Sequence, residues 1–179
     1  MPSFPTLDDR LTDGTVELRL ASEYDIPDTL IAHQDDPALY LRLGLERPPS
    51  GAQLGSAYER AEAERLKGAA LRLTILAPGA EDCLGQVDVH GVDWERRAAE
   101  LGIWVAPARR GRHVGRRALS LAARWLFEAA ELTRLTLLTE PDNEPMLRAA
   151  RAAGFRLDPG PATAGLSRLS LLPGDLPRD

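Results

Sequence analysis

One cysteine in 179 residues, Cys83, removes any internal disulfide, and nothing in the count points to an oxidising compartment. The three histidines, His33, His90 and His113, lie far apart with no cysteine pair beside them, so no metal site is expected. Lysine is nearly absent. Lys67 stands alone in a basic total of 22, and arginine carries almost all the positive charge. No apolar stretch approaches the roughly 20 residues that a membrane-crossing helix needs. The opening MPSFPTLDDR lacks the basic-then-apolar order of an export signal. A cytoplasmic location and no membrane partner are the resulting expectations.

What is present has the balance of a globular chain, 44% hydrophobic and 27% charged residues. The length suits one domain, expected over residues 11–173 with tails at 1–10 and 174–179. A net charge of −5 gives the whole molecule no attraction to nucleic acid.

Period-two alternation with β-branched residues predicts a strand over Thr15 to Leu20. Ser22 and Asp25 then form an S-x-x-D cap for a helix whose apolar stripe is Ile26, Leu30 and Ile31. A short helical patch follows over Ala38 to Leu43, and a longer helix over Ala52 to Lys67, stopped by Gly68. Leu71 to Leu76 and Leu84 to His90 read as a hairpin around PGAED, and Ala99 to Val105 as a third strand. Leu119, Ala122, Leu126 and Ala129 mark one face of a helix from about His113 to Glu131. TRLTLLT is a strand, PDNEPMLRAARAAG a capped helix closed by Gly154, and Phe155 to Leu157 and Leu166 to Leu172 are the last strand candidates. The order is that of an α/β (α+β) mixture with a mainly antiparallel front half.

The segment AELGIWVAPARRGRHVGRRAL passes from a strand through a Pro–Gly turn into a helix, which is an arrangement that binds phosphate. Unpaired amides at a helix start and its partial positive charge stabilise an anion, and glycine lets the backbone approach it. Arg109, Arg110, Arg112, Arg116 and Arg117 crowd the same turn. Gly111 and Gly115 are too close for GxxxxGK[ST] and no lysine follows; the GxGxxG fingerprint fails as well. Nucleic-acid binding through RRGRHVGRR is disfavoured by the acidic total and the lack of interleaved aromatics.

What matches is R/Q-x-x-G-x-G/A, through Arg110, His113 and Gly115, the acetyl-CoA signature of the GNAT N-acetyltransferase superfamily. Glu100, Gly102, Trp104, Pro107, Arg110 and Gly111 also fit E-x-G-x-W-x-x-P-x-x-R-G-x-G of the branch similar to RimJ and RimL ribosomal-protein alanine acetyltransferases. Asn143, Gly154 and Phe155 match a second family motif, and the resemblance covers most of the chain. It implies a central, mixed, mostly antiparallel sheet flanked by helices. It also implies acetyl-CoA as acyl donor, lying along Trp104 and Val105 and over Arg110, Gly111, Arg112, His113, Val114, Gly115 and Arg116, with Asn143 beside its pantetheine arm. At 113 the family usually carries glycine; the expectation here is an ordinary helical backbone with the imidazole facing solvent. Ala150 stands where many members place a thiolate-protonating tyrosine, and Met146 replaces a small residue.

The resemblance thus implies direct transfer of an acetyl group to a primary amine, a protein N-terminus or a small amine, in a ternary complex. A homodimer is its implication for assembly. The alternative is a noncatalytic acyl-CoA-binding or regulatory module on the same fold. A backbone amide near Trp104 or Val105 is expected to polarise the thioester. Glu100, sharing a strand face with Gly102 and Trp104, is the candidate base, its alternative a solvated carboxylate paired with arginine. His90 and Asp93 are reserves. Trp94 and Trp104 either wall the substrate channel or pack the core. Cys83 has no base or helix terminus beside it and is not expected to act as a nucleophile. Acceptor contacts are expected from about Asp25 to Pro49 and Asp158 to Leu166.

Overall fold

The structure is a computed structural model that describes residues 3–7, 9–159 and 164–177. Its strands are β1 (Leu11–Thr12), β2 (Glu17–Leu20), β3 (Leu71–Leu76), β4 (Gly85–Asp93), β5 (Ala98–Val105), β6 (Arg134–Thr139), β7 (Arg156–Leu157) and β8 (Ser167–Leu171). They form one sheet in the order β1-β2-β3-β4-β5-β6-β8-β7. Every neighbouring pair is antiparallel except β5–β6, which is parallel. The helices are α1 (Ile26–Asp35), α2 (Leu39–Arg42), α3 (Gly51–Leu66), α4 (Val114–Glu128) and α5 (Glu144–Ala152). The mixed, mostly antiparallel sheet flanked by helices is the architecture expected.

The two faces of the sheet are unequal. Toward α4, the alternating Leu71, Leu73, Ile75, Val87, Val89 and Leu101 meet Ala118, Leu119, Ala122 and Leu126, all buried. The alanines let α4 lie close on the strands, and this face carries most of the hydrophobic stabilisation. Toward α1 and α3 the alternate residues are polar. Asp25, 1% exposed, takes Arg19 at 2.7 Å, the Ser22 amide at 3.0 Å and Thr74 Oγ1 at 2.6 Å. The capping box at the start of α1 thus doubles as a buried, fully paired anchor onto β2 and β3.

The segment before Leu11, read as a tail, is packed. Phe4 is buried and meets Trp94 edge-on with ring centroids 5.3 Å apart, while Trp94 Nε1 donates to Gly68 O. Leu11–Thr12 adds an edge strand to β2, and Arg10 pairs with Glu17 and Glu81. Beyond Leu172, Leu176 packs on the core and Gly154, at φ +96, lies under the Asp175 carbonyl where a Cβ would stand 2.3 Å away. Among the described residues no helix is long and apolar enough to cross a membrane.

Candidate active site

β5 pairs with β4 along its whole length, from Asp93↔Ala98 to Gly85↔Val105. Its parallel pairing with β6 stops at Leu101↔Leu137, while β6 continues along β8 to Thr139↔Ser167. The sheet therefore opens beside residues 102–105. The Ala106 amide donates to Leu84 O at 2.8 Å, toward β4. Strand alternation then turns the Trp104 and Gly102 amides toward β4 as well, and those of Ile103 and Val105 into the opening. Of the two residues expected to supply a free amide, Val105 faces the opening and Trp104 does not.

From Val105 the chain makes a tight turn at Pro107–Arg109, with Gly111 at φ +74, and enters α4. His113 caps α4 at φ 61, ψ 7, in the left-handed region, so the ordinary helical backbone expected for it is not what it adopts. The histidine holds the conformation that glycine would take freely, at a cost of about 1–2 kcal/mol. Arg117 N donates to His113 O, which leaves the Val114, Gly115 and Arg116 amides without helical partners. Gly115 is lodged against β5, its virtual Cβ 3.6 Å from Val105 Cγ2 and 3.9 Å from Ala149 Cβ. The start of α4 thus sits beside the sheet opening.

The arginines of this turn divide into two sets. Arg110 is drawn inward: its Nη2 donates to Asp36 Oδ2 at 2.7 Å and its Nε to Val105 O at 3.0 Å. Arg117 pairs with Asp13 at 3.0 Å. Arg109, Arg112 and Arg116 make no ion pair among the described residues, so they are the cations left for an anion. Asn143 caps α5, its side chain accepting from the Met146 amide at 3.3 Å. Ala150 is wholly buried, so the helix offers no acidic group at the position the family gives to tyrosine.

The polar face of the sheet forms a trough under α3 and the α2–α3 loop. A cavity of about 1010 Å³ is bordered by His33, Gln86, Asp88 and Trp104. A second, of about 680 Å³, is bordered by Asp88, His90, Glu100 and Gly102. Glu100 Oε1 lies 3.7 Å from His90 Nε2 across the β4–β5 ladder. Asp88 is held by Arg72 at 2.5 Å, and Asp93 accepts from the Arg96 amide at 2.9 Å. Glu100 is accordingly the carboxylate of this strand pair that, among the described residues, no guanidinium or backbone amide engages. Trp94 packs on Phe4 at a distance from the trough's border, whereas Trp104 is part of that border.

Burial, reinforced by the nearby Asp25 carboxylate, pushes the Cys83 thiol up to about 12, so it stays protonated at neutral pH. Among the described residues no cluster of three His, Cys, Asp or Glu side chains could hold a metal ion. The second acceptor segment is described except for residues 160–163, which lie outside the described set.

Residues 15–156 match the acetyltransferase (GNAT) domain family. The chain belongs to that family. No curated protein matches it by sequence. Among solved structures, RimJ of Mycobacterium smegmatis in complex with CoA-disulfide superposes with a TM-score of 0.79 at 21% identity, covering 94% of this chain and 88% of that one. RimL, a ribosomal L7/L12 α-N-protein acetyltransferase in complex with coenzyme A, gives 0.78 at 16% identity over 92% and 98%. The ribosomal-protein-S5-alanine acetyltransferase of Vibrio fischeri gives 0.76 at 15% identity over 96% and 100%.

As a GNAT domain the chain is an acetyl-CoA-dependent acyltransferase, and its residues fit such a donor. Free amides and free arginines meet at the start of α4, and the adjoining opening exposes strand amides to a pantetheine arm. Two wall residues escaped the sequence reading. His33 sits in α1 without a motif, and Gln86 in β4 reads as an ordinary outward polar residue. The available signal was the polar series Gln86, Asp88 and His90 on one face of β4, opposite the valines.

Proposed function

We propose that this GNAT domain moves the acetyl group of acetyl-CoA to a primary amine, of a protein N-terminus or a small molecule, by direct attack in a ternary complex. The observation that carries the reading is the sheet opening beside Ile103 and Val105, with the amides of Val114, Gly115 and Arg116 and the side chains of Arg112 and Arg116, unpaired among the described residues, at its mouth. The donor supplies an activated thioester. The amides of Val114, Gly115 and Arg116, with Arg112 and Arg116 side chains, bind its phosphates, and Gly111 keeps the turn open to them. Arg110, clasped to Asp36 and Val105, holds the turn's shape. Val114, Trp104 and Asn143 keep supporting places: the first two frame the mouth, and Asn143 fixes the start of α5 alongside it.

Holding the amine at attack distance from the thioester provides most of the acceleration, because the acyl group is already activated. The Val105 or Ile103 amide donates to the thioester oxygen as charge develops there. Glu100 takes the proton of the attacking ammonium. It lies three residues from Ile103, roughly 10 Å of strand, so the proton reaches it through intervening water. Without a tyrosine at position 150, the departing thiolate takes its proton from solvent.

Isothermal titration with acetyl-CoA and its dephospho analogue tests the donor site. The Arg112→Ala, Arg116→Ala double variant is expected to bind at least about tenfold more weakly, and the analogue to lose part of this difference. No binding by the unaltered protein overturns the reading. Tight binding with no transfer to any amine favours an acyl-CoA-binding module instead.

A further inference from the structure

At Gly85, β4 and β5 approach more closely than a side chain allows. Gly85 opens β4 as the cross-strand partner of Val105, is buried, and has φ +155, a backbone that favours glycine. A Cβ on it would overlap the Trp104 carbonyl oxygen and stand 2.9 Å from Val105 Cα. In a trans peptide the carbonyl and the N–H point in opposite directions. The peptide that turns the Trp104 oxygen toward Gly85 therefore turns the Val105 N–H the other way, into the sheet opening. Gly102, two residues back along β5, is under no such pressure: a Cβ there would meet His90 Nε2 at 3.8 Å and Asp88 Cβ at 3.9 Å, ordinary contacts.

Both sides of this approach are fixed. On the β4 side, the Leu84 amide donates to Ile75 O at 2.8 Å, and Leu84 O accepts from the Ala106 amide at 2.8 Å. The Cys83 amide donates to Asp28 Oδ2 at 2.8 Å. The Cys83 thiol, for which acetyl transfer has no use, donates to Gly85 O with the sulfur 3.4 Å away. On the β5 side, Val105 O accepts from Arg110 Nε at 3.0 Å. The peptide after Val105 thus has its carbonyl and its N–H engaged. The peptide before it has its oxygen against Gly85 and its N–H aimed into the opening. A donor held in this way needs no reorganisation as charge develops on an acceptor in front of it.

We propose that Gly85 is a positioning residue for the transfer step: by backing the Trp104–Val105 peptide it aims the Val105 N–H, rather than that of Ile103, at the thioester oxygen. The Ile103 N–H faces the same opening, but its peptide lies on the regular Asp88↔Gly102 rung of the ladder. The proposal rests on the acetyl-transfer reading and adds to it which amide acts and what holds that amide. Relief of the overlap in Gly85→Ala has to move the Trp104–Val105 peptide, and a misplacement of about 1 Å can cost about 10²-fold in rate. The amides and arginines at the start of α4 that hold the donor's phosphates lie outside that shift.

With alanine amide as the acceptor, Gly85→Ala is expected to lower kcat by about 10²-fold and to leave acetyl-CoA affinity unchanged. Gly154→Ala controls for strain alone, because a Cβ there would likewise overlap a backbone carbonyl oxygen, that of Asp175, at positive φ. It should lower the unfolding midpoint comparably and leave kcat unchanged. Equal loss of kcat in both variants overturns the proposal, as does full kcat in Gly85→Ala. Should Gly85→Ala not fold, or alanine amide not be turned over, amide proton–nitrogen spectra of the unaltered protein decide. On exchanging bound CoA for acetyl-CoA, the Val105 amide proton should move downfield, and by more than that of Ile103. A larger move at Ile103, or none at Val105, overturns the proposal, whereas failure to bind acetyl-CoA overturns the transfer reading itself.

Discussion

At the scale of single residues, His113 is, among the described residues, the non-glycine residue at the start of α4 held in the left-handed region. His113→Gly relieves about 1–2 kcal/mol of left-handed strain and adds about 0.5–1 kcal/mol of backbone entropy cost. The net gain, roughly 0.5–1 kcal/mol, should raise the unfolding midpoint by about 2 °C in calorimetry. An unchanged or lower midpoint would mean the imidazole makes up for its backbone in solution. For Glu100, removal of the carboxylate as Glu100→Gln should reduce kcat by roughly 10²-fold with acetyl-CoA affinity unchanged. Residual activity should keep rising with pH as the amine itself deprotonates. Full activity in that variant would place the base elsewhere in the trough.

The elements with strong periodicity were legible before any coordinates. α4 shows its buried face through Leu119, Ala122 and Leu126, and β5 its alternation through Leu101 and Glu100, because each pattern repeats within one segment. What was not legible depends on partners far along the chain. Arg110 could be read as a phosphate ligand, but its clasp on Asp36 joins residues 74 positions apart. His113 looked free to be helical, yet Gly115 is lodged against β5, and the turn before it must bend through the left-handed region. The Gln86 side-chain amide likewise donates to the Tyr58 hydroxyl, 28 positions away.

The Arg110 clasp ties the end of α1 to the turn before α4 and gives these elements a shared response to acid. Burial works to raise the Asp36 pKa, but Arg110, the Ala38 amide and the charge of Arg42 outweigh it and hold the carboxyl below its usual 3.8. A depressed carboxyl stabilises the fold above the unfolded pKa and loses that contribution as pH falls through the folded one. Stability should therefore drop more between about pH 6 and about pH 3 in the unaltered protein than in Asp36→Asn. Thermal unfolding at both values measures the difference, and equal drops would show that the clasp does not hold in solution.

Across the whole molecule, the mainly antiparallel front half was anticipated, whereas the segment before Leu11, expected to be a tail, packs on the sheet. An isolated phenylalanine in MPSFP and a two-residue strand carry no periodicity, so their packing appears only when Trp94 and β2 are in place. Phe4→Ala should cost about 3 kcal/mol and lower the unfolding midpoint by on the order of 10 °C. A loss below about 1 kcal/mol would identify the segment as a loose tail after all.

The single parallel contact in the sheet divides it into two sutured pieces. Five strands, β1 to β5, are stitched by antiparallel ladders, and three, β6, β8 and β7, by another set, while four residue pairs join β5 to β6. That seam closes residues 36 apart across α4, so its formation requires a longer chain closure than the β3–β4 hairpin and belongs late in folding. On the proposed reading the donor enters at the open end of this seam. A molecule seated there would grip both pieces at once, and the substrate would become a rivet for the sheet that binds it.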